Sequence, residues 1–333
     1  MRTSDIRPRF GIRYHGREAD PMLDPDIRRL LDTIFSAPAP AGRPDIAQLR
    51  AAAELAPKLL GGAAESVEDV RDATVPEMGV PVRIYRAAGT RPMALTLFAH
   101  GGGWVTGSLD SHDKLCRILA NALGSVIVAV DYRRAPEHVY PAALDDVEAA
   151  WHWLRERAAS LGAEGRRFLV AGDSSGGNLA AALTLRLAGA GAVQPDLQVL
   201  LYPALDARCS GRSYREFATG HNLTATQMQW YWDAYRADAG ADDAGLSPLA
   251  AADLAGLPPA VIAVASADVL RDDGLDYARA LQAARIPVRL VECHGMIHGF
   301  LRWTGEVPAA RRWIDRIADA ASATLAARTT TRA

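Results

Sequence analysis

Residues 168–183 read Phe168-Leu169-Val170-Ala171-Gly172-Asp173-Ser174-Ser175-Gly176-Gly177-Asn178-Leu179-Ala180-Ala181-Ala182-Leu183. An apolar run of β-strand character meets a tight turn and continues directly into a helical sequence rich in alanine and leucine. Ser174 stands at the apex of the turn, and Gly172 and Gly176, two residues before and after it, are small enough to let strand and helix approach. A strand, a sharp turn and a helix are the context that a nucleophilic serine requires. The alternative interpretation is a glycine-rich turn that only leads into a core helix.

Apolar segments of strand length alternate with helical segments on both sides of this turn. The β-like runs are Val70 to Pro76, Val80 to Arg86, Ala94 to Ala99, Ser125 to Val130, the run ending at Asp173, Leu197 to Tyr202, Ala260 to Ala265 and Val288 to Glu292. Continuous apolar strands separated by helices predict a mostly parallel sheet that is buried on both faces. Because the first runs read as antiparallel and strand–helix repeats follow, the pattern favours an α/β-hydrolase fold.

A serine nucleophile needs a base within hydrogen-bond reach, and in this fold the base follows both the serine and the acid in the chain. Three histidines lie beyond Ser174, namely His221, His294 and His298. His298 is favoured because it is expected in the loop directly after the last strand. His294 precedes it by four residues and competes for the role, whereas His221 belongs to a segment inserted between strands.

The acid that orients such a histidine is expected on a loop at the carboxyl end of a strand, where open α/β sheets bind their ligands. Asp268 meets this condition because it follows the apolar run Val261 to Ala265 after two small residues. Asp272 and Asp273 are the alternatives, but they come where the next helix should begin, and carboxylates there are favoured by the helix dipole. We therefore predict Asp268 as the acid.

A run of three glycines in His100-Gly101-Gly102-Gly103-Trp104 follows the predicted strand Ala94 to Ala99. Glycines leave backbone N–H groups uncovered, so the negatively charged oxygen of an acyl-transfer intermediate could approach them. We predict an oxyanion hole made by the N–H groups of Gly102, Gly103 and Ser175. A purely structural glycine turn is the alternative, and His100 is interpreted as a residue that holds the loop.

Composition limits the classes of partner. With 37 basic and 39 acidic residues the formal net charge is −2, which argues against binding to nucleic acid or to an anionic membrane and favours a small, largely uncharged ligand. The cysteines, Cys116, Cys209 and Cys293, are too few and too widely spaced for a disulfide framework or a metal site. No run approaches the roughly 20 apolar residues of a membrane span, and no signal peptide is recognised, so a cytoplasmic protein is expected.

Together these motifs resemble the hormone-sensitive-lipase-like carboxylesterases, often called bacterial family IV. The matching stretches are Leu23-Asp24-Pro25, His100-Gly101-Gly102-Gly103-Trp104, Asp131-Tyr132-Arg133-Arg134-Ala135-Pro136-Glu137-His138, Gly172-Asp173-Ser174-Ser175-Gly176-Gly177-Asn178, Asp268-Val269-Leu270-Arg271-Asp272-Asp273-Gly274 and His298-Gly299-Phe300. The resemblance implies an eight-stranded, mostly parallel sheet flanked by helices, with a helical cap. It also implies ester hydrolysis with no cofactor and no metal, and it maps a catalytic triad onto Ser174, Asp268 and His298. Ser175 departs from the family's usual alanine, Val269 from proline and Asp273 from glutamate.

The same resemblance divides the chain into an N-terminal cap region (1–65), a first core part (66–205), an inserted cap segment (206–247) and a second core part (248–333). The insertion carries the densest group of aromatic residues in the chain, together with a methionine: Met228, Trp230, Tyr231, Trp232 and Tyr235. Such a stripe is more often core than binding surface. The alternative is a lid whose aromatic faces line an acyl or aryl pocket.

The resulting hypothesis is a serine carboxylesterase that hydrolyses short- to medium-chain acyl esters through an acyl-enzyme intermediate. An amidase or deacetylase acting on acetylated aryl or sugar compounds would use the same residues. A receptor that binds ligands without turnover, as in the gibberellin receptors that resemble this family, is disfavoured because those have lost the histidine that His298 supplies here. A homodimer through the predicted helix Pro308 to Ala327 is a further expectation.

Overall fold

The structure, a computed structural model, describes residues 23–35, 45–76, 78–89, 94–162 and 166–331. The strands are β1 (Asp69–Val75), β2 (Val80–Arg86), β3 (Ala94–Ala99), β4 (Ser125–Val130), β5 (Arg167–Asp173), β6 (Leu197–Leu201), β7 (Ala260–Ala267) and β8 (Val288–Ile297). The α-helices are α1 (Pro25–Thr33), α2 (Ile46–Leu60), α3 (Asp113–Leu123), α4 (Ala142–Glu156), α5 (Ser175–Gly189), α6 (Ser213–Glu216), α7 (Ala225–Arg236), α8 (Arg271–Ala283) and α9 (Pro308–Thr331). Within the predicted N-terminal cap region, residues 1–22 and 36–44 lie outside the described residues.

The strands form one sheet in the order β1-β2-β4-β3-β5-β6-β7-β8, which gives eight strands in the described part of the chain. The pairs β1·β2 and β2·β4 are antiparallel, and every other neighbouring pair is parallel. The predicted eight-stranded, mostly parallel sheet is thereby confirmed. Because β3 and β5 to β8 run in the same direction, their carboxyl ends meet at one edge of the sheet.

The middle of the sheet is buried on both faces by helices. All residues of β3, β4 and β6 are buried, as expected for continuous apolar strands in a parallel sheet. The edge strands differ, since β1 and β8 expose several of their side chains. Helices therefore cover the strands that lead into the turn at Ser174 and into the glycine loop.

Aspartate side chains cap the first two helices. Asp24 accepts a hydrogen bond from the N–H of Asp26 at 2.9 Å, and Pro25 takes the first helical position of α1. Asp45 caps α2 through the N–H groups of Ala47 and Gln48. In the described part of the chain, no helix combines the length and the apolar character needed to cross a membrane.

Candidate active site

The turn between β5 and α5 holds Ser174 in a strained conformation, with φ 56° and ψ −120°. The two predicted glycines explain how this turn fits. A Cβ on Gly172 would lie 2.2 Å from the carbonyl oxygen of Gly176, and a Cβ on Gly176 would lie 2.0 Å from that of Ala99. Larger residues would thus force β5, α5 and β3 apart, and the hydroxyl of Ser174 would lose its place at the sheet edge.

The structure brings Ser174, His298 and Asp268 into one hydrogen-bonded chain. His298 Nε2 lies 2.9 Å from Ser174 Oγ, and His298 Nδ1 lies 2.7 Å from Asp268 Oδ2. The other carboxylate oxygen, Oδ1, accepts the N–H of Leu270 at 3.0 Å, which fixes the orientation of the carboxylate. All three side chains are buried, so these contacts are shielded from bulk water.

The competing residues lie elsewhere. His294 is exposed within β8, which extends to Ile297, beyond the Glu292 end that the apolar run indicates. Asp272 accepts hydrogen bonds from Ser213 N and Arg271 Nε. Asp273 is buried and accepts the N–H groups of Leu205 and Asp206, and burial, the largest influence, raises its pKa well above the usual range. None of the three is hydrogen bonded to His298 among the described residues.

The glycine loop after β3 lies beside the nucleophile turn. Val105 and Thr106 donate their N–H groups to the carbonyl oxygen of Gly102 and so close the loop. No acceptor among the described residues takes the N–H of Gly102 or Gly103, and Ser175, as the first residue of α5, has no helical partner for its N–H. The N–H groups of all three predicted donors are therefore without an intramolecular acceptor among the described residues.

A buried carboxylate holds the start of this loop. Asp173 Oδ1 accepts the N–H of Gly101 at 2.8 Å and lies 3.3 Å from His112 Nε2. Burial would raise the pKa of Asp173, but the neighbouring His112, the Arg302 charge and the Gly101 N–H together lower it to about 2. A charged Asp173, directly before Ser174, thus ties the glycine loop to the turn between β5 and α5.

His100 holds the loop from its other side, as its sequence position indicates. Its ring stacks on Tyr132 at 4.2 Å between centroids, its Nδ1 lies 2.9 Å from Gly101 O, and Tyr132 donates its hydroxyl hydrogen to His100 O. Burial lowers the pKa of His100 to about 3, with smaller effects from nearby charges. It is therefore neutral near pH 7 and serves the loop as a packed, hydrogen-bonded side chain.

The inserted segment contributes both core and site surface. Met228, Trp232 and Tyr235 are buried, and Trp104 packs between Trp232 and Tyr235 at centroid distances of 4.3 and 4.5 Å. Tyr231 is half-buried instead, and its ring covers the loop so closely that a Cβ on Gly103 would lie 2.2 Å from it. The core interpretation therefore describes most of the cluster, whereas Tyr231 faces the glycine loop.

Two further contacts fasten the segments around the site. Asn222, in the inserted segment, donates an Nδ2 hydrogen to His298 O at 3.2 Å. Arg50 on α2 donates to Val105 O and Ala135 O and forms a bidentate pair with Glu137. The hydrogen bond from Arg50 is the largest influence on Glu137 and lowers its pKa to about 2. Arg50 thus fastens α2 to Val105, directly after the glycine loop and Trp104, and to Glu137.

Sequence reasoning missed Asp173, His112 and Asn222. Asp173 had a local signal, because a carboxylate directly before an apical serine at a strand end must be buried and so needs a partner. His112 and Asn222 had none, since each meets the site through tertiary contacts with residues far away in the chain. No group of three or more potential metal ligands occurs among the residues that the structure describes.

Replacing Gly103 with alanine is expected to lower kcat for a chromogenic ester by about 10²-fold, as when one oxyanion donor is lost. Gly103 has φ +60°, and the added methyl group would meet the Tyr231 ring at 2.2 Å, so the loop must move and displace its N–H. Steady-state kinetics on the purified variant, beside a thermal melt, would measure the effect.

Gly79→Ala is the matched control for this substitution. Gly79 has nearly the same backbone angle, φ +67°, but nothing lies within 4 Å of its Cβ position in the turn between β1 and β2. The Gly79→Ala variant therefore has the same backbone strain, about 1–2 kcal/mol, without a collision like that with the Tyr231 ring. Its kcat should be unchanged. A folded Gly103→Ala variant with normal kcat would remove Gly103 from the oxyanion hole.

The sequence profile of the family described as "alpha/beta hydrolase fold" matches residues 96–302. The chain is 41% identical over 291 residues to the carboxylic ester hydrolase LipN of Mycobacterium tuberculosis, covering 84% of this chain and 77% of that protein. It is 39% identical over 253 residues to an ethyl acetate hydrolase of Pseudomonas putida, covering 73% of this chain and 79% of that protein.

Solved structures give the same likeness over nearly the whole chain. A thermostable esterase from Pseudomonas putida superposes with a TM-score of 0.84 at 34% identity, covering 90% of this chain and 97% of that one. An esterase from Pyrobaculum calidifontis also gives a TM-score of 0.84 at 34% identity, covering 92% and 99% of the two chains. The fold of the chain is thus similar to that of known esterases.

Proposed function

The chain belongs to the hormone-sensitive-lipase-like family of α/β-hydrolases, and we propose that it is a serine carboxylesterase acting on short- to medium-chain acyl esters through an acyl-enzyme. Membership places it among the carboxylic ester hydrolases. The proposal concerns the mechanism, the residues that perform it and the class of acyl group.

The observation that carries this proposal is the unbroken chain from Asp268 Oδ2 through His298 to Ser174 Oγ, with heavy-atom distances of 2.7 and 2.9 Å. Ser174 is unreactive at its own pKa, so it needs a base at this distance to accept its proton as it attacks. Asp268 holds the imidazole with Nδ1 protonated, which leaves Nε2 free to act as that base. The strained turn directs the hydroxyl out of the sheet edge.

In the proposed reaction Ser174 Oγ attacks the ester carbonyl carbon while His298 takes its proton. The carbonyl oxygen becomes an oxyanion that the N–H groups of Gly102, Gly103 and Ser175 stabilise by hydrogen bonds. His298 then gives the proton to the leaving alcohol, and the C–O bond of the ester breaks to leave an acylated serine. Water attacks this acyl group by the same steps, and the carboxylic acid leaves with Ser174 restored.

Partitioning with methanol tests the acyl-enzyme. Two acetate esters with different leaving alcohols should give the same ratio of methyl acetate to acetic acid in aqueous methanol, because both pass through one acetylated Ser174. Product analysis by gas chromatography measures the ratio. A ratio that changes with the leaving alcohol would contradict a common intermediate, and faster turnover of the matching acetanilide than of the ester would favour the amidase alternative.

A further inference from the structure

Arg302 is a cationic side chain at the site that the proposed mechanism leaves unused. It ends the short helical turn Phe300–Arg302, four residues after His298. Its Nη2 packs over Gly299 and lies 3.5 Å from the position of a Cβ on that residue. The side chain is half-buried, and its Nε is fully buried. The guanidinium is therefore held against the loop that carries the proposed base.

Arg302 has no partner for this charge within the described ranges. No carboxylate lies within ion-pair distance, and no acceptor takes a hydrogen bond from its guanidinium, including the buried Nε. Arg83 is paired with Asp72 and Asp110, and Arg271 with Glu216 and Asp272, whereas Arg166, away from the site on the lead into β5, also has a buried Nε without an acceptor among the described residues. A partly buried N–H donor without an acceptor raises the free energy of the folded protein. We therefore expect the guanidinium to receive its acceptor from a bound molecule.

The charge of Arg302 lowers the pKa values of three groups around the site. It is among the influences that lower the pKa of Asp173, the residue before the nucleophile. Burial raises the pKa of Tyr231, which covers Gly103, and that of Tyr202, whose ring packs against His298, and Arg302 opposes both rises. These influences agree with the observed position of the guanidinium, whose Nη2 packs over Gly299, the residue that follows His298.

We propose that Arg302 binds a carboxylate carried by the ester substrate, so that the preferred substrates are anionic esters. The inference rests on the proposed function, since it concerns the same site, and it departs from the uncharged ligand that composition favours. A guanidinium can donate two parallel hydrogen bonds to one carboxylate, which fixes the orientation of the substrate as well as adding affinity. Neutral esters still reach Ser174 but lack this contact.

Two matched substrate pairs test the proposal. One pair places the charge on the acyl side: the p-nitrophenyl monoester of succinate and its neutral methyl ester. The other places it on the alcohol side: O-acetylglycolate and its amide. We expect one pair to favour the anion by about 10-fold or more in kcat/KM, the size of a charge-assisted hydrogen bond. Arg302→Gln should abolish that preference mainly through KM, and Arg302→Lys should retain part of it.

Arg83→Gln is the matched control, because it removes the same charge from β2 and should leave the anion preference intact. Turnover of the neutral esters by the unmodified protein checks the proposed function separately, so a failure of one proposal is distinguishable from a failure of the other. Two results would overturn the role of Arg302: no preference for the anion in either pair, or an equal loss for neutral and anionic esters in Arg302→Gln.

Discussion

Ser174→Ala is expected to lower kcat for a chromogenic short-acyl ester by about 10⁴- to 10⁶-fold, since the variant has no atom that can form the acyl-enzyme. Alanine keeps the Cβ that already tolerates φ 56° at this turn, so the fold should be undisturbed. What remains in the variant is the catalysis that the oxyanion hole and substrate binding supply by themselves.

Kinetics with active-site titration would measure the loss. A fluorophosphonate should modify the unmodified protein once, on the peptide that contains Ser174, and should leave the variant unlabelled. A thermal melt of the variant close to that of the parent excludes misfolding as the cause. Full hydrolysis by a folded Ser174→Ala protein would be incompatible with the proposed nucleophile.

The sharp turn at Ser174 could be predicted from sequence because its determinants are neighbours in the chain. Gly172 and Gly176 flank Ser174 at fixed spacing, and the collisions that make them necessary follow from any sharp connection between a buried strand and a helix. The sheet could also be predicted from local sequence, because its central strands β3 and β4 are continuous apolar runs and all of their residues are buried. Local sequence was sufficient where local geometry was the constraint.

The choice between two histidines shows where local sequence is insufficient. The apolar run indicates that the last strand ends at Glu292, but β8 continues through His294 to Ile297, because Ile297 still pairs with Ala267 across an irregularity in the register. The chain order of the family fits both histidines, and His298 was favoured only because it was expected in the loop directly after the last strand. Side-chain direction in an edge strand depends on its pairing, which the sequence of that strand does not contain.

The contacts that hold the glycine loop in place could also not be predicted from the sequence. Asp173 and Gly101 are 72 residues apart, and Tyr231 reaches Gly103 from a helix in the inserted segment. These contacts exist because the carboxyl ends of β3 and β5 are adjacent and α7 packs above them, with Trp232 and Tyr235 against Trp104. They are consequences of tertiary packing, so motifs could locate the loop but not what holds it.

The second large effect is expected at the acid. Asp268→Asn should lower kcat by about 10⁴-fold while leaving the fold intact. The reason lies in the second oxygen of Asp268: Oδ1 accepts the N–H of Leu270, so an asparagine would place its carbonyl there and turn its NH₂ toward His298 Nδ1. The imidazole must then accept at Nδ1 and carry its proton on Nε2, where it cannot take the proton of Ser174.

Asp272→Asn is the control that separates this prediction from a general effect of lost charge near the site. Asp272 lies on α8 and binds Ser213 N and Arg271, with no contact to His298 among the described residues, so its kcat should change by no more than a few-fold. Measuring both variants with one ester therefore identifies the acid. If Asp268→Asn kept its kcat and Asp272→Asn lost it, the hydrogen bond between Asp268 and His298 would have no part in orienting the base, and the proposed proton path would have to begin from another carboxylate.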